Sequence, residues 1–547
     1  MLEGLVQNDH PLTLQHVLER MRRIYGDSEV VTLTDDGPQR ATYADVTRRV
    51  DKLAHALAGL GIEEGDRVAT FAWNTQRHLE IYMAAPCMGA VLHTLNIRLF
   101  PDQLTYIANH AEDRIVFVDD SVVPLLEKVA PTFETVEHYV VMGDGDAGSL
   151  PNVIRYEELL ADQTDDPYEW PEIDERQAAG LCYTSGTTGN PKGVLYSHKS
   201  NVLHSFGACL ADSMGLSAND RMLPIVPMFH ANAWGIPYAA GLVGCNLVMP
   251  NKFMQAEPIA KAIESEKVTV SAAVPTIWAD LLKYADEHAP DLSSIERVIC
   301  GGAAVPLSLM QAWEEKHGVR ILQAWGMTET SPLGSVARPP AGLEGDEHWE
   351  YRNKAGRINP LVEARLIDDD GNEVPWDGEQ TGELEVRGPW VARAYYNDPS
   401  GDDKFDDGWL RTGDIAAIDS HGFIRISDRS KDVIKSGGEW ISSVELEGEL
   451  MAHPAVAEAA VIAKPDERWT ERPLACVVLH EGEDASPEEL CEHLTPRVAK
   501  WWIPDEFAFI DEVPKTSVGK FDKKVLRKRL EEGELERKPV EAAGASS

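Results

Sequence analysis

Apolar runs and amphipathic helical stretches take turns along most of this chain, and that alternation limits the folds open to it. VVTLT (30–34), DRVATFAW (66–73), RIVFVDD (114–120), NLVMP (246–250), VTVSAAV (268–274), RVIC (297–300) and RILQAW (320–325) read as strands. Helical patterns such as TYADVTRRVDKLAHALAGLG (42–61) and PIAKAIESEK (258–267) lie between several of them. Strands alternating with helices imply α/β layers with largely parallel sheets. Beyond 360 the texture changes to short strands and turns, with DDDGN and DSHG (419–422) read as hairpin connections. From about 431 a small α+β pattern follows: SSVELEGELMAH and PEELCEHLTPRV as helices, VAEAAVIA and LACVVLH as strands. At 547 residues the chain exceeds one compact core. We therefore expect a large multi-sheet α/β domain over 1–427, a connection at 428–432, a small α+β domain over 433–530 and a polar, disordered tail over 531–547.

Ninety-one acidic residues stand against 51 basic ones, a net charge of −40 that is spread along the chain. Such an excess keeps a protein soluble but destabilises its compact state by self-repulsion, which concentrated salt screens. The composition thus predicts a salt-rich, halophilic setting and argues against nucleic acid and anionic membranes as partners. Seven scattered cysteines without a C-x-x-C pair suit reduced thiols in a cytoplasm rather than a disulfide or zinc framework. The N-terminus shows no signal-peptide pattern, so a cytoplasmic location is expected. Residues 222–251 hold no charged side chain, long enough for a membrane span, but Pro224, Pro227, Pro237 and Pro250 interrupt them. Buried helix and strand beneath an active site are the expectation there.

YTSGTTGNPKG (183–193) has almost no side chain to bury. It offers backbone N–H groups, hydroxyls and one ammonium, which suit a phosphate. The same composition serves flexible linkers, but apolar GLCY leads in and GVLYSH leads out, the pattern of strand, loop, strand. It is not the P-loop of NTPases: counting from Gly186, the position that must be glycine is Pro191.

In so acidic a chain, basic residues in conspicuous contexts are informative. Lys192 is one. DRSKDVIKSGGEW (428–440) brings Arg429, Lys431 and Lys435 ahead of Gly437 and Gly438. VPKTSVGKFDKKVLRKRL (513–530) carries seven basic residues and one acid; Lys523 through Arg529 read as a solvated helix face, whereas Lys520 sits in the TSVGK turn, able to reach a neighbouring cleft. QAWGMTET (323–330) offers an indole, Trp325, that can stack on a base and a carboxylate, Glu329, that can ligate Mg²⁺. The same residues suit a strand end followed by a capped helix. MFHANAWG (228–235) places His230 and Trp234 in the uncharged stretch, as core or as pocket wall. Asp414, in GWLRTGD, can accept ribose hydroxyls or close an Asx-turn.

YTSGTTGNPKG, QAWGMTET, GWLRTGD, DRSKDVIKSGGEWIS and PKTSVGK occur in this order across nearly the whole chain. Together they resemble the adenylate-forming enzymes, a group that includes acyl-CoA synthetases, firefly-luciferase relatives and peptide-synthetase adenylation domains. The likeness is closest to medium-chain fatty-acid–CoA ligases and methylmercaptopropionate–CoA ligases. It implies a large adenylate-forming N-terminal domain and a small, mobile C-terminal one. It also implies that a short- or medium-chain carboxylic acid reacts with ATP to give acyl-AMP and pyrophosphate, and that CoA then takes the acyl group. The alternative is an adenylation enzyme that loads a separate carrier protein; no carrier domain follows Lys520.

By the resemblance, the loop Thr184, Ser185, Gly186, Thr187, Thr188, Gly189 and Lys192 holds the β- and γ-phosphates, and Thr184 with Glu329 places Mg²⁺. Gly302, Ala303 and Ala304 line the adenine and acyl site beside Gln323, Ala324, Trp325, Gly326, Met327 and Thr328. Asp414 and Arg429 hold the ribose. Lys520 bridges the substrate carboxylate and the α-phosphate. His230, Trp234, Gly235 and Gly302 form the acyl wall. Lys431 is the hinge on which the small domain turns, bringing Lys435, Gly437, Gly438, Glu439 and Trp440 against the pantetheine arm of CoA. The implied partners are small molecules only, without a membrane span, and a homodimer is left open.

Overall fold

A computed structural model describes residues 2, 4–184, 190–429, 432–436, 439–466, 468–516 and 521–540. Its described strands form three sheets, of 14, seven and six members. The seven-stranded sheet runs parallel from Val153–Arg155 through His138–Met142, Asp113–Asp119, Arg67–Phe71 and Val91–Thr94 to Ala178–Tyr183. Gly193–Ser197 then adds an antiparallel edge. GLCY and GVLYSH are therefore strands, as their apolar flanks predict, and the glycine-rich stretch connects them.

The 14-stranded sheet has a parallel centre, Asn246–Met249, Arg221–Pro224, Val270–Ala273, Arg297–Gly301 and Arg320–Gly326, with Glu29–Thr32 alongside. Beyond Arg320–Gly326 the pairing turns antiparallel, through Leu333–Val336 and Gly356–Ile358 to Phe423–Arg429 and Trp409–Ile418. The short strands beyond 360 thus extend the same sheet. DSHG joins two of them as expected, whereas DDDGN closes only a local bridge, Ile367 to Glu373, and the next ladder strand begins at Gly382. The small C-terminal domain is built on the six-stranded sheet, led by the long hairpin of Val456–Asp466 and Thr470–Leu479.

Local chemistry starts the helices where the pattern places them. Thr42 caps Tyr43–Gly59 in a box with Asp45, and Ser197 caps His198–Cys209 with Ser200. The uncharged stretch resolves into a strand, a left-handed turn at Ala231–Trp234, the eight-residue helix Ile236–Val243 and a strand. All of it is largely buried, and no helix among the described residues is long and apolar enough to cross a membrane.

Gly326 fixes how closely two strands approach at the site. A Cβ there would stand 1.8 Å from the Pro332 carbonyl oxygen, a main-chain atom that cannot step aside. Gly326→Ala should therefore cost roughly 3 kcal/mol or more. Gly448, inside the helix Ser443–Met451, has open space around the same atom. Gly448→Ala should be neutral or stabilising by about 0.5–1 kcal/mol, since alanine is the better helix former. Thermal unfolding of both variants checks the opposite signs.

Candidate active site

A cavity of about 280 Å³ opens between the two large sheets, close to the size of small-ligand sites. Its lining includes Thr184, Lys192, His230, Trp234, Gly302, Ala324, Trp325, Gly326, Met327, Thr328, Glu329 and Arg429. These residues come from four separated sequence motifs, with Gly302 from a fifth segment.

One end is built on the glycine-rich hairpin. The strands on either side pair Tyr183 with Gly193, and the Thr184 N–H donates to the Lys192 carbonyl at 2.9 Å. Gly193 has no room for a side chain, with Tyr183, Tyr396 and Leu181 all within 3.3 Å of a Cβ position. The Tyr396 N–H donates to its carbonyl at 2.8 Å, so the 395–398 segment packs directly on the hairpin. Lys192 is held from that segment: its Nζ lies 3.8 Å from Asp398 and 4.9 Å from the centre of the Tyr395 ring.

Glu329 follows the sharp strand end at Gly326, in a short turn over Thr328–Thr330. It is buried, and its carboxylate accepts from the Tyr395 hydroxyl at 2.6 Å. Burial and that carboxylate together hold the Tyr395 phenol well above the usual range, so it remains a donor. The turn itself is tied down by the Tyr196 hydroxyl, which donates to the Thr328 carbonyl at 2.8 Å. Glu329 and Thr184 thus face the same cavity, an oxygen-donor set that suits Mg²⁺, which takes one or two protein oxygens and completes its shell with phosphate and water.

The third wall depends on strand register. In the Trp409–Ile418 and Phe423–Arg429 hairpin, a bulge between Ile415 and Ala416 sets Asp414 opposite Arg429. Counting back from the turn without that shift would set Asp414 opposite Asp428. Arg429 donates to Asp414 Oδ1 at 2.6 Å, and the Trp325 indole N–H donates to Oδ2 at 2.8 Å. Trp325 lies flat enough on its neighbour strand that a Cβ at Gly334 would come 2.3 Å from the ring. Asp414 is itself behind the lining, 4% exposed, with both oxygens committed to groups that do line the cavity.

Part of the lining carries no charge: Met214, Ala231, Trp234, Gly301, Gly302 and Leu333, beside His230. Residues Ala231, Asn232, Ala233 and Trp234 all have positive φ, between 42° and 58°, a strained left-handed turn that a protein keeps where geometry is at a premium. Below it His204 is fully buried and its Nε2 accepts from the Leu333 N–H at 3.2 Å, with burial pushing the imidazole down to about 3. That neutral ring sits where a side chain on Gly235 would go, 2.5 Å from its Cβ position.

Not every expected residue lines the space. Gln323 is buried and structural: its amide accepts from Val305 N–H and donates to the Asn353 and Lys354 carbonyls. Ala303 and Ala304 are exposed, and Gly235 stands behind the wall. Lys435 lies on the small domain's sheet, with its N–H donating to Glu471 at 2.8 Å. Ser185, Gly186, Thr187, Thr188, Gly189, Lys431, Gly437, Gly438 and Lys520 lie outside the described residues, as do the side chains of Glu439 and Trp440. Conversely, Met214, Leu333, Tyr395, Lys404, Arg411 and Thr412 line the cavity without having been singled out. Arg411 and Thr412 belong to GWLRTGD and were within reach of that motif. Nothing in the local pattern marks Met214, Tyr395 or Lys404.

Residues 18–396 match the AMP-binding enzyme family, and residues 445–520 match the AMP-binding enzyme C-terminal domain. The chain is 45% identical to a 3-methylmercaptopropionyl-CoA ligase of Ruegeria lacuscaerulensis, over 94% of this chain and 97% of that protein. It is 43% identical to a medium-chain-fatty-acid–CoA ligase of Ectopseudomonas oleovorans, over 97% of each. Among solved structures, an anthranilate CoA ligase in complex with anthranoyl-AMP superposes with a TM-score of 0.87 at 27% identity, covering 96% of this chain and 99% of that one. Motif order, domain architecture and these likenesses agree, and the chain belongs to the AMP-binding enzyme family.

Proposed function

We propose that this protein is an acid–thiol ligase, an acyl-CoA synthetase that forms AMP. A carboxylate attacks the α-phosphorus of ATP and pyrophosphate leaves; the thiol of CoA then attacks the acyl carbon and AMP leaves. A free carboxylate is a poor acylating agent because its leaving group would be oxide, and the mixed anhydride with AMP removes that obstacle. The observation that carries the reading is the polarity of one cavity. The cations Lys192 and Arg429 line it with Thr184, and so does an uncharged set, Met214, Ala231, Trp234, Gly301, Gly302 and Leu333. A molecule half nucleotide and half acyl chain fits that division.

In this reading Thr184 and Lys192 receive the β- and γ-phosphates, and Asp414, oriented by Trp325 and Arg429, takes the ribose. Glu329 and Thr184 would hold Mg²⁺, which supplies charge neutralisation for the phosphates when bound. His230, Trp234 and Gly302 bound the acyl end, with Met214 and Leu333 added by the structure. Such a wall separates one methylene from the next by only about 1–3 kcal/mol, so a range of short- and medium-chain acids is proposed. Lys520 is assigned the counter-charge between the substrate carboxylate and the α-phosphate, on the strength of the resemblance. The proposal extends to a hinge at 428–432 that carries the Lys435–Trp440 region to the thiol, and to a cytoplasmic, salt-adapted setting.

Incubation with ATP, Mg²⁺ and hexanoate in high salt should yield AMP and pyrophosphate, strongly stimulated by CoA. AMP formation indifferent to CoA would point to a carrier-protein acceptor, and ADP would contradict the mechanism. Lys520→Ala should abolish adenylate formation yet still convert a preformed acyl-adenylate to thioester; equal loss of both half-reactions would contradict its role. Trp325→Phe keeps the ring but removes the donor to Asp414, and should weaken AMP binding about three- to tenfold by calorimetric titration. Unchanged affinity would separate that indole N–H from nucleotide binding.

A further inference from the structure

The glycine-rich hairpin is gripped from a side that no motif above includes. The helix Pro101–Ala111 lies against its incoming arm. On the incoming arm, the Tyr183 hydroxyl and His110 Nδ1 are 2.7 Å apart. Burial, then the Asp113 charge, hold the Tyr183 phenol well above its usual range, so it stays protonated and keeps its hydrogen bond to the imidazole. The outgoing arm is tied to the incoming one by the Tyr183–Gly193 strand pair and by the Thr184 N–H, which donates to the Lys192 carbonyl at 2.9 Å. His110 is itself braced within the helix: the Tyr106 and His110 rings stack, 5.2 Å apart and 18° from parallel. His110 also meets Tyr183 and Tyr396 edge-on, at 5.8 Å and 5.7 Å. Below them His93 and Asp113, both fully buried, pair at 2.8 Å, with the His93 ring 5.1 Å from that of Tyr183. This floor leaves Tyr183 little freedom except through its hydroxyl.

Tyr183 is followed by Thr184, whose N–H is bonded to the Lys192 carbonyl, so both cavity residues are tied to the point that this helix holds. We propose that His110 is a positioning residue for the nucleotide phosphates, setting through Tyr183 where Thr184 and Lys192 stand in the cavity. The inference rests on the reading of that cavity as an ATP site. A helix from the first half of the chain thereby belongs to the site without touching the ligand. Removing the imidazole takes the partner from a half-buried phenol and loosens the strand end that it holds.

The effect should fall on one substrate. His110→Ala should raise the KM for ATP roughly tenfold, leave the KM for the carboxylate within about twofold, and spare thioester formation from a preformed acyl-adenylate, which has no β- and γ-phosphates to place. His110→Asn, whose side-chain oxygen stands near the position of Nδ1, should restore most of the ATP affinity. Tyr183→Phe removes the same bond from the other end, and the double variant should be no worse than either single one. An ATP KM that stays at the wild-type value in both single variants would overturn the proposal. So would equal loss in both half-reactions alongside a lowered melting temperature. A wild-type protein that forms no AMP would instead defeat the functional reading itself, and the inference with it.

Discussion

The bulge between Ile415 and Ala416 adds one residue to one strand of a hairpin, and two separate parts of the molecule depend on it. It carries Arg429 opposite Asp414, where a regular ladder would have placed Asp428 and set two carboxylates against each other. It also turns Asp428 away from the cavity, to accept from the Ser443 N–H at 2.8 Å at the start of a small-domain helix. Bulges re-aim side chains next to functional sites at little cost in strand pairing. Here one bulge pairs the charge in the cavity wall and supplies a contact between the domains. Lys523, from the small domain's basic segment, is buried against Glu447 at 2.7 Å on that same helix and donates to the Ser443 hydroxyl, rather than lying on a solvated helix face.

Charge explains why such pairing matters in this chain. With a net charge of −40, the surrounding field opposes any anionic ligand unless cations are concentrated locally. Lys192, Lys404, Arg411 and Arg429 converge on one cavity, and carboxylates hold several of them in place. Arg411 pairs with Glu383, Arg429 with Asp414, and Lys192 lies near Asp398. Held cations are pre-oriented, and a polyphosphate then gains their attraction without first ordering long side chains.

Much of this was legible in the sequence because it rests on short-range rules. Apolar flanks gave the strand–loop–strand of the glycine-rich segment, turn residues gave the DSHG hairpin, and the prolines of 222–251 excluded a membrane helix. What stayed hidden depends on long-range register and packing. Tyr395 reaches the cavity because the segment around it folds back onto Gly193, which no local pattern announces. Gln323 sits inside a motif quoted for its site residues, yet its amide is spent on backbone groups of two other segments. Ala303 and Ala304 follow Gly302 in sequence but point outward. His110 illustrates the same limit: its partner Tyr183 is 73 positions away.

The central claim is that a single cavity holds both halves of an acyl-adenylate in a fixed orientation. It is tested most directly by a structure with a hydrolysis-resistant analogue in which a sulfamate replaces the phosphate between adenosine and a hexanoyl chain. The account predicts the ribose hydroxyls on Asp414, the sulfamate near Thr328 and the acyl chain between Trp234 and Met214. An analogue bound the other way round, or outside the space between Lys192 and Trp234, would contradict it.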